Sequence, residues 1–158
     1  MSGAVSGVRV QERKAGDPDL DALVTAAVAE LNRRYRDPGD PWEDYPLTGE
    51  VSFHVATVDG VPAGCIARVA VDEPGWTRTA EMKRVFVQER FRGRGVATAL
   101  VAAFEVAARE AGARRVRLET GTRQPEAMAL YEALGYARTA NFGPWADSPL
   151  SVCYAKNL

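Results

Sequence analysis

The chain has 158 residues, 46% of them apolar and 26% charged, the make-up of one soluble globular domain long enough to bury a sizeable core. A formal net charge of −1 excludes a global attraction to nucleic acid or to an anionic membrane surface. No apolar run reaches the ~18 residues of a membrane-spanning helix, and the N-terminus lacks the basic and apolar regions of a secretory leader. Residues 1–7 are therefore read as a short flexible tail and 8–158 as a single cytoplasmic domain. Cys65 and Cys153 show no metal-ligand spacing, so buried free thiols and no bound metal are expected.

Residues 8–11 suit a first strand. Asp17-Pro18-Asp19 then announces a helix, with an acid at the N-cap and proline at the first helical position. Leu20, Leu23, Val24, Ala27, Val28 and Leu31 recur at helical spacing, and Arg33 and Arg34 suit the negative end of the helix dipole. Residues 37–49, rich in Pro, Gly and Asp, are read as a loop or a short irregular helix, with Tyr35, Trp42 and Tyr45 in or beside it. Residues 53–58 and 63–71 make a hairpin across Asp59-Gly60, a strong two-residue turn signal. Residues 72–78 are expected to turn and 79–87 to form the next strand. A long helix over 93–111 stops at Gly112. A strand over 115–119 and a helix opened by Pro125 and closed by Gly135 follow. Strands over 136–138 and 151–156 end the chain, separated by a loop with Phe142 and Trp145. Pattern alone gives a mixed α/β domain.

The chemistry concentrates in residues 85–97. Apolar Val85, Phe86 and Val87 lead into a turn carrying Arg90, Arg92 and Arg94 with Gly93 and Gly95, and Val96 and Ala97 open the long helix. Glycines let backbone press against a ligand, and the helix start aims free N–H groups and its positive dipole end at the turn. With three arginines added, the turn suits a polyanion, most simply a pyrophosphate.

Arg90-x-x-Gly93-x-Gly95 resembles the acetyl-CoA pyrophosphate loop of the GNAT N-acetyltransferase superfamily, in its Arg/Gln-x-x-Gly-x-Gly/Ala form. A second block, Leu118-Glu119-Thr120 through Ala127-x-x-Leu130-Tyr131-x-x-x-Gly135-Tyr136, resembles that superfamily's next strand and helix. The resemblance covers residues 80–137. It implies the order β-α-β-β-β-α-β-α-β-β with a splayed central sheet, and acetyl-CoA as co-substrate. It also implies a cofactor site built from Val85, Phe86, Val87, Arg92, Gly93, Arg94, Gly95, Val96, Ala97 and Gln124. Gln124 departs from the family, which usually has asparagine at that position.

Acetyl transfer from a thioester to an amine needs a base for the ammonium, polarisation of the carbonyl, a proton donor for the thiolate, and the two reactants held face to face. By family position Tyr131 is the donor, its alternative role being a ring packed beside Leu130 and Leu134. Glu81 is the leading base and Glu119 the second; Glu81 could instead pair with Lys83 or Arg84. His54, the only histidine, is read as structural.

Lys83, Arg84 and Arg123 could hold a carboxylate on the acceptor, pointing to a small-molecule amine such as an amino acid or related metabolite. The acidic 37–50 loop pulls towards a cationic one. No nucleic-acid or membrane partner is expected, and a homodimer stays open. Two other functions fit parts of the sequence. One is a non-catalytic CoA-binding module. The other is a dinucleotide-binding oxidoreductase using Gly93-x-Gly95 and Glu119, against which Thr98 occupies the third glycine position.

Overall fold

The computed structural model describes residues 7–34 and 47–158. Strand β1 (Val8–Arg13) leads to helix α1 (Pro18–Arg34), then to strands β2 (Val51–Val58), β3 (Val61–Glu73) and β4 (Trp76–Val87). Helix α2 (Val96–Glu110), β5 (Arg115–Gly121), α3 (Pro125–Ala133), β6 (Ala137–Thr139) and β7 (Ser151–Asn157) complete the order, which is the one the resemblance implies. The strands form one seven-stranded sheet, β1-β2-β3-β4-β5-β7-β6. Only β4 and β5 pair parallel; every other neighbouring pair is antiparallel. No described helix is long and apolar enough to cross a membrane.

Local chemistry explains the boundaries. Asp17 caps α1, its Oδ1 accepting from the backbone N–H of Asp19 and Leu20 at 3.0 and 3.1 Å. Asp59 and Gly60 both take positive φ, 48° and 81°, as the twisted two-residue hairpin turn requires. The turn expected over 72–78 shrinks to Pro74-Gly75. Proline at the first central position and glycine at φ 83° at the second fit a tight turn, and Glu73 pairs directly with Trp76 across it. β4 therefore starts three residues earlier than expected.

Neighbouring strand residues point to opposite faces, and the two faces carry different helices. Ile66, Ala80, Met82, Val116 and Leu118 join Val96, Leu100, Val101, Phe104 and Ala108 of α2, with Tyr131 of α3, in the larger core cluster. Cys65 and Val55 face the other way, onto Leu20 and Leu23 of α1. Phe104 is fully buried, so truncation to alanine would cost about 3–5 kcal/mol. The expected tail (residues 1–7) and the aromatics Tyr35, Trp42 and Tyr45 lie outside the described residues, apart from Gly7.

Two irregularities shape β4. Against β3, the register advances two residues while β4 advances three, once between Val71 and Glu73 and again between Cys65 and Ala67. Each skip contains an arginine at positive φ, Arg78 at 47° and Arg84 at 55°. These are β-bulges, which bend and twist the strand that carries the extra residue. Gly64 makes the second one fit: a Cβ there would lie 2.6 Å from the Phe86 carbonyl oxygen.

Candidate active site

Parallel pairing of β4 with β5 runs from Thr79–Arg115 to Met82–Leu118 and stops. Beyond the Arg84 bulge the two strands part. A cavity of about 790 Å³ opens there, lined by Val85, Phe86 and Val87 on the β4 side and by Thr120, Gly121, Gln124, Ala127 and Tyr131 on the other. The β4 edge facing this gap has lost its β5 partner, so its backbone groups are available to an extended ligand.

At one end of the cavity lies the arginine-glycine turn. A short 3-10 turn, Glu89–Phe91, buries Phe91 in the core and leads through Gly93 to Gly95, the N-cap of α2 at φ 78° and ψ 11°. None of the backbone amides of Gly93, Arg94, Gly95, Val96, Ala97 and Thr98 finds an acceptor among the described residues. Six successive unfilled donors at a helix N-terminus make an anion cradle. The expected family frame began at Arg90, yet Arg90 lies in the 3-10 turn with its guanidinium 4.6 Å from the Phe91 ring centre. The same pattern read two residues on, Arg92-x-x-Gly95-x-Ala97, coincides with the open amides. Arg92, Gly93, Gly95, Val96 and Ala97 line the cavity; Arg94 does not, its guanidinium lying 5.8 Å from the Phe91 ring centre.

Tyr131 projects from α3 into the cavity wall. Its ring packs 6.0 Å from Tyr136 and 6.2 Å from Tyr154, and the residue also lines the cavity. Burial, and then the charge of nearby Glu119, push its phenol well above the usual range. It therefore stays protonated at neutral pH, with a proton it can donate in a hydrogen bond.

Both expected carboxylates reach the cavity, in different conditions. Glu81 is buried in the paired part of the sheet, where Oε1 accepts from Nε of its cross-strand neighbour Arg117 at 2.8 Å and Oε2 lies 3.2 Å from Lys83 Nζ. Arg117 also binds Glu73 at 2.7 Å and stacks 4.3 Å from the Phe142 ring centre. Glu119 stands one residue past the last β4–β5 pair. Burial raises its carboxyl above the usual range, the Ser151 hydroxyl and the charge of Lys83 opposing that shift and Glu81 adding slightly to it.

Of the cations expected near the acceptor, Lys83 and Arg84 line the cavity, and Lys83 Nζ lies 4.5 Å from the Trp145 ring centre. Arg123 does not line it; its Nη1 donates to the Arg34 carbonyl at 3.4 Å, between α3 and α1. Trp145 lines the cavity, whereas Trp76 and Phe142 pack against each other with tilted rings, 5.3 Å between centres, behind Arg117. Gln124 lines it as the N-cap of α3, with no side-chain cap bond. His54 is remote, on β2. Burial and the charge of Arg68 lower it, Glu12 opposing, and its Nδ1 has no partner among the described residues. No cluster of three potential metal ligands exists among the described residues.

Three contributors escaped the sequence reading. Gly64 carried a signal only in being a glycine inside a strand, the mark of close backbone approach. Arg117 sat between Val116 and Leu118 in a short apolar strand, where a charge needs a buried partner. Glu30 looked like part of a solvated helix face, yet it lines the cavity and pairs with Arg92 at 2.7 Å.

Parted parallel strands over an anion cradle, with Tyr131 and Glu119 at the gap and Glu81 on the cavity wall, are the frame an acyl-CoA-dependent transferase needs. Residues 21–136 match the Acetyltransferase (GNAT) family. Over 109 residues the chain is 38% identical to the IAA acetyltransferase of Azospirillum brasilense, covering 69% of each protein. It spans about half the length of the rodent N-acetyltransferases it also matches. Among solved structures it resembles a chain described as an acyl-CoA N-acyltransferase from Klebsiella pneumoniae, at 32% identity and TM-score 0.77, covering 96% of this chain and 97% of that one. A GNAT acetyltransferase from Elizabethkingia anophelis with acetyl-CoA bound shares the fold at 17% identity and TM-score 0.70, with 97% and 99% covered. The chain belongs to the GNAT acetyltransferase family and is an acyltransferase that takes acetyl groups from acetyl-CoA. The oxidoreductase alternative falls with this, and the non-catalytic one is set aside.

Proposed function

We propose that the protein acetylates the primary amine of a small molecule, an amino acid or related metabolite. The observation that carries this reading is the gap between β4 and β5 with the anion cradle at one end and Glu119 and Tyr131 at its walls. In this scheme the cradle amides and Arg92 hold the diphosphate, and the freed edge of Val85, Phe86 and Val87 pairs with the extended arm. A backbone N–H of that edge polarises the thioester carbonyl.

The amine nitrogen forms a bond to the carbonyl carbon, the carbon–sulfur bond breaks, and the amine's proton passes to a carboxylate. Glu119 suits that last role better than Glu81. A raised carboxyl is a stronger base, while both Glu81 oxygens already face cations. Tyr131 donates its hydrogen bond to the departing sulfur. Direct transfer is supported by Cys65, the cysteine in the cavity lining, whose thiol burial pushes up to about 12, far from a reactive thiolate.

The acceptor end carries both signs, Glu119 and Asp147 against Lys83 and Arg84. A zwitterionic amine matches that arrangement, its ammonium near the carboxylates and its carboxylate near the cations. The test is CoA release from acetyl-CoA across amino acids, polyamines, aminoglycosides and lysine peptides. Turnover of amino acids is expected. Good turnover of polyamines or peptides with every amino acid inert would overturn the acceptor assignment.

A further inference from the structure

The α1 wall of the cavity is apolar at Val24, Ala27, Val28 and Leu31, and Glu30 is the carboxylate standing among them. Its Oε1 lies 2.7 Å from Arg92 Nη2, across 62 residues of sequence. Its Oε2 lies 3.9 Å from Arg34 Nη2, and Arg34 in turn bonds Glu126 and the Arg123 carbonyl on the α3 side. Arg92 is fixed from behind, its Nε donating to the Val87 carbonyl at 2.9 Å. The end of β4 therefore sets where its charge points, and the outward edge of its guanidinium holds Glu30. The unfilled amides of Gly93 to Thr98 belong to the same turn. A diphosphate entering the cradle meets an arginine already occupied by another anion, and the two negative groups repel at close range.

We propose that the diphosphate of acetyl-CoA displaces Glu30 from Arg92, so that Glu30 is a positioning residue that sets cofactor affinity through the diphosphate alone. The inference rests on the reading of this cavity as the acetyl-CoA site. In the free protein Glu30 occupies the outer edge of an Arg92 guanidinium that the Val87 carbonyl already aligns. On binding, the arginine changes partner from carboxylate to phosphate, and the departing carboxylate opposes the ligand's charge. Side-chain exposures of 34% for Arg92 and 22% for Glu30 make the pair a partly screened one. Removing it should change affinity by about two- to five-fold.

Glu30→Gln keeps the side chain's size and helix propensity, and so keeps α1. Acetyl-CoA and S-acetyl-pantetheine, which has the same reactive arm and no diphosphate, are titrated into wild type and Glu30→Gln at low and high salt. The variant is expected to bind acetyl-CoA about two- to five-fold tighter at low salt, less so at high salt, with S-acetyl-pantetheine affinity unchanged. Unchanged or weaker acetyl-CoA binding in a folded variant overturns the inference, as does an equal change for both ligands, which would mean that α1 had only changed shape. Wild type that fails to bind acetyl-CoA overturns the functional reading and this inference together; wild type that binds while the variant behaves identically overturns this inference alone.

Discussion

Strands β4 and β5 behave as two different structures along their length. Where they pair, from Thr79 to Met82, the strands run in register and the charged side chains lock one another: Arg117 holds buried Glu81 on one side and the more exposed Glu73 on the other. Where they part, past the Arg84 bulge, backbone edges lie open and Glu119 keeps a raised carboxyl beside the protonated Tyr131. Glu81 and Glu119 are thus the same residue type in the same cavity in opposite surroundings, one paired with two cations and one with its carboxyl raised by burial. Two residues, from Arg117 just before the last pair to Glu119 just beyond it, separate a carboxylate locked in an ion pair from one left at the gap.

The sharpest way to break this comparison is at the parted end. Tyr131→Phe should lower turnover by about 10²–10⁴-fold, with acetyl-CoA affinity nearly unchanged, because the hydroxyl matters as sulfur leaves. Wild-type turnover in that variant would remove Tyr131 from the chemistry. Glu119→Gln should lower turnover on a similar scale and abolish the acid limb of the kcat/KM profile. In wild type that limb should lie above the ordinary carboxylate value of about 4.3, since the base works only once ionised. Stability should move the other way. A carboxyl raised in the fold contributes stability below its unfolded value and loses it as pH rises through the folded value. Glu119→Gln should therefore leave the neutral-pH melting temperature unchanged or higher, and a marked fall would mark Glu119 as structural.

At the paired end the effect should appear in stability. Arg117→Met leaves Glu81 buried without its main partner, and a loss of about 3–5 kcal/mol is expected in denaturant unfolding. A variant as stable as wild type would show that the cluster contributes nothing net. Smaller still is Gly64→Ala, which sharpens the boundary itself. Its Cβ would push on the Phe86 carbonyl, costing about 1–3 kcal/mol and weakening acetyl-CoA binding through the displaced β4 edge. If affinity holds while stability falls, Gly64 serves packing and not the cleft.

Sequence alone showed the element order and the β4 and turn side of the cavity lining but not its α1 wall, because apolar periodicity, Asp59-Gly60, Pro125 and the arginine-glycine turn are local signals. It did not show that β4 bulges twice, because arginine carries no mark of positive φ; tertiary pairing imposes it at Arg78 and Arg84. Nor could it separate Glu81 from Glu119, since the difference lies in a register that pairs distant residues. The family pattern fits the sequence in two frames, from Arg90 and from Arg92, for a related reason: Phe91 is a core residue, and only burial shows where the turn ends and α2 begins.

The position of β7 carries a consequence for synthesis. Residues 151–157 lie between β5 and β6, and Tyr154 is part of the bed on which Tyr131 rests. While a growing chain lacks them, β5 has one bare edge, and the apolar surface of Val116 and Leu118 is incompletely covered. Such an edge is a template for pairing with another chain. Ribosomes stalled before residue 151 should therefore carry a nascent chain that holdase chaperones retain, and release should follow emergence of the last strand.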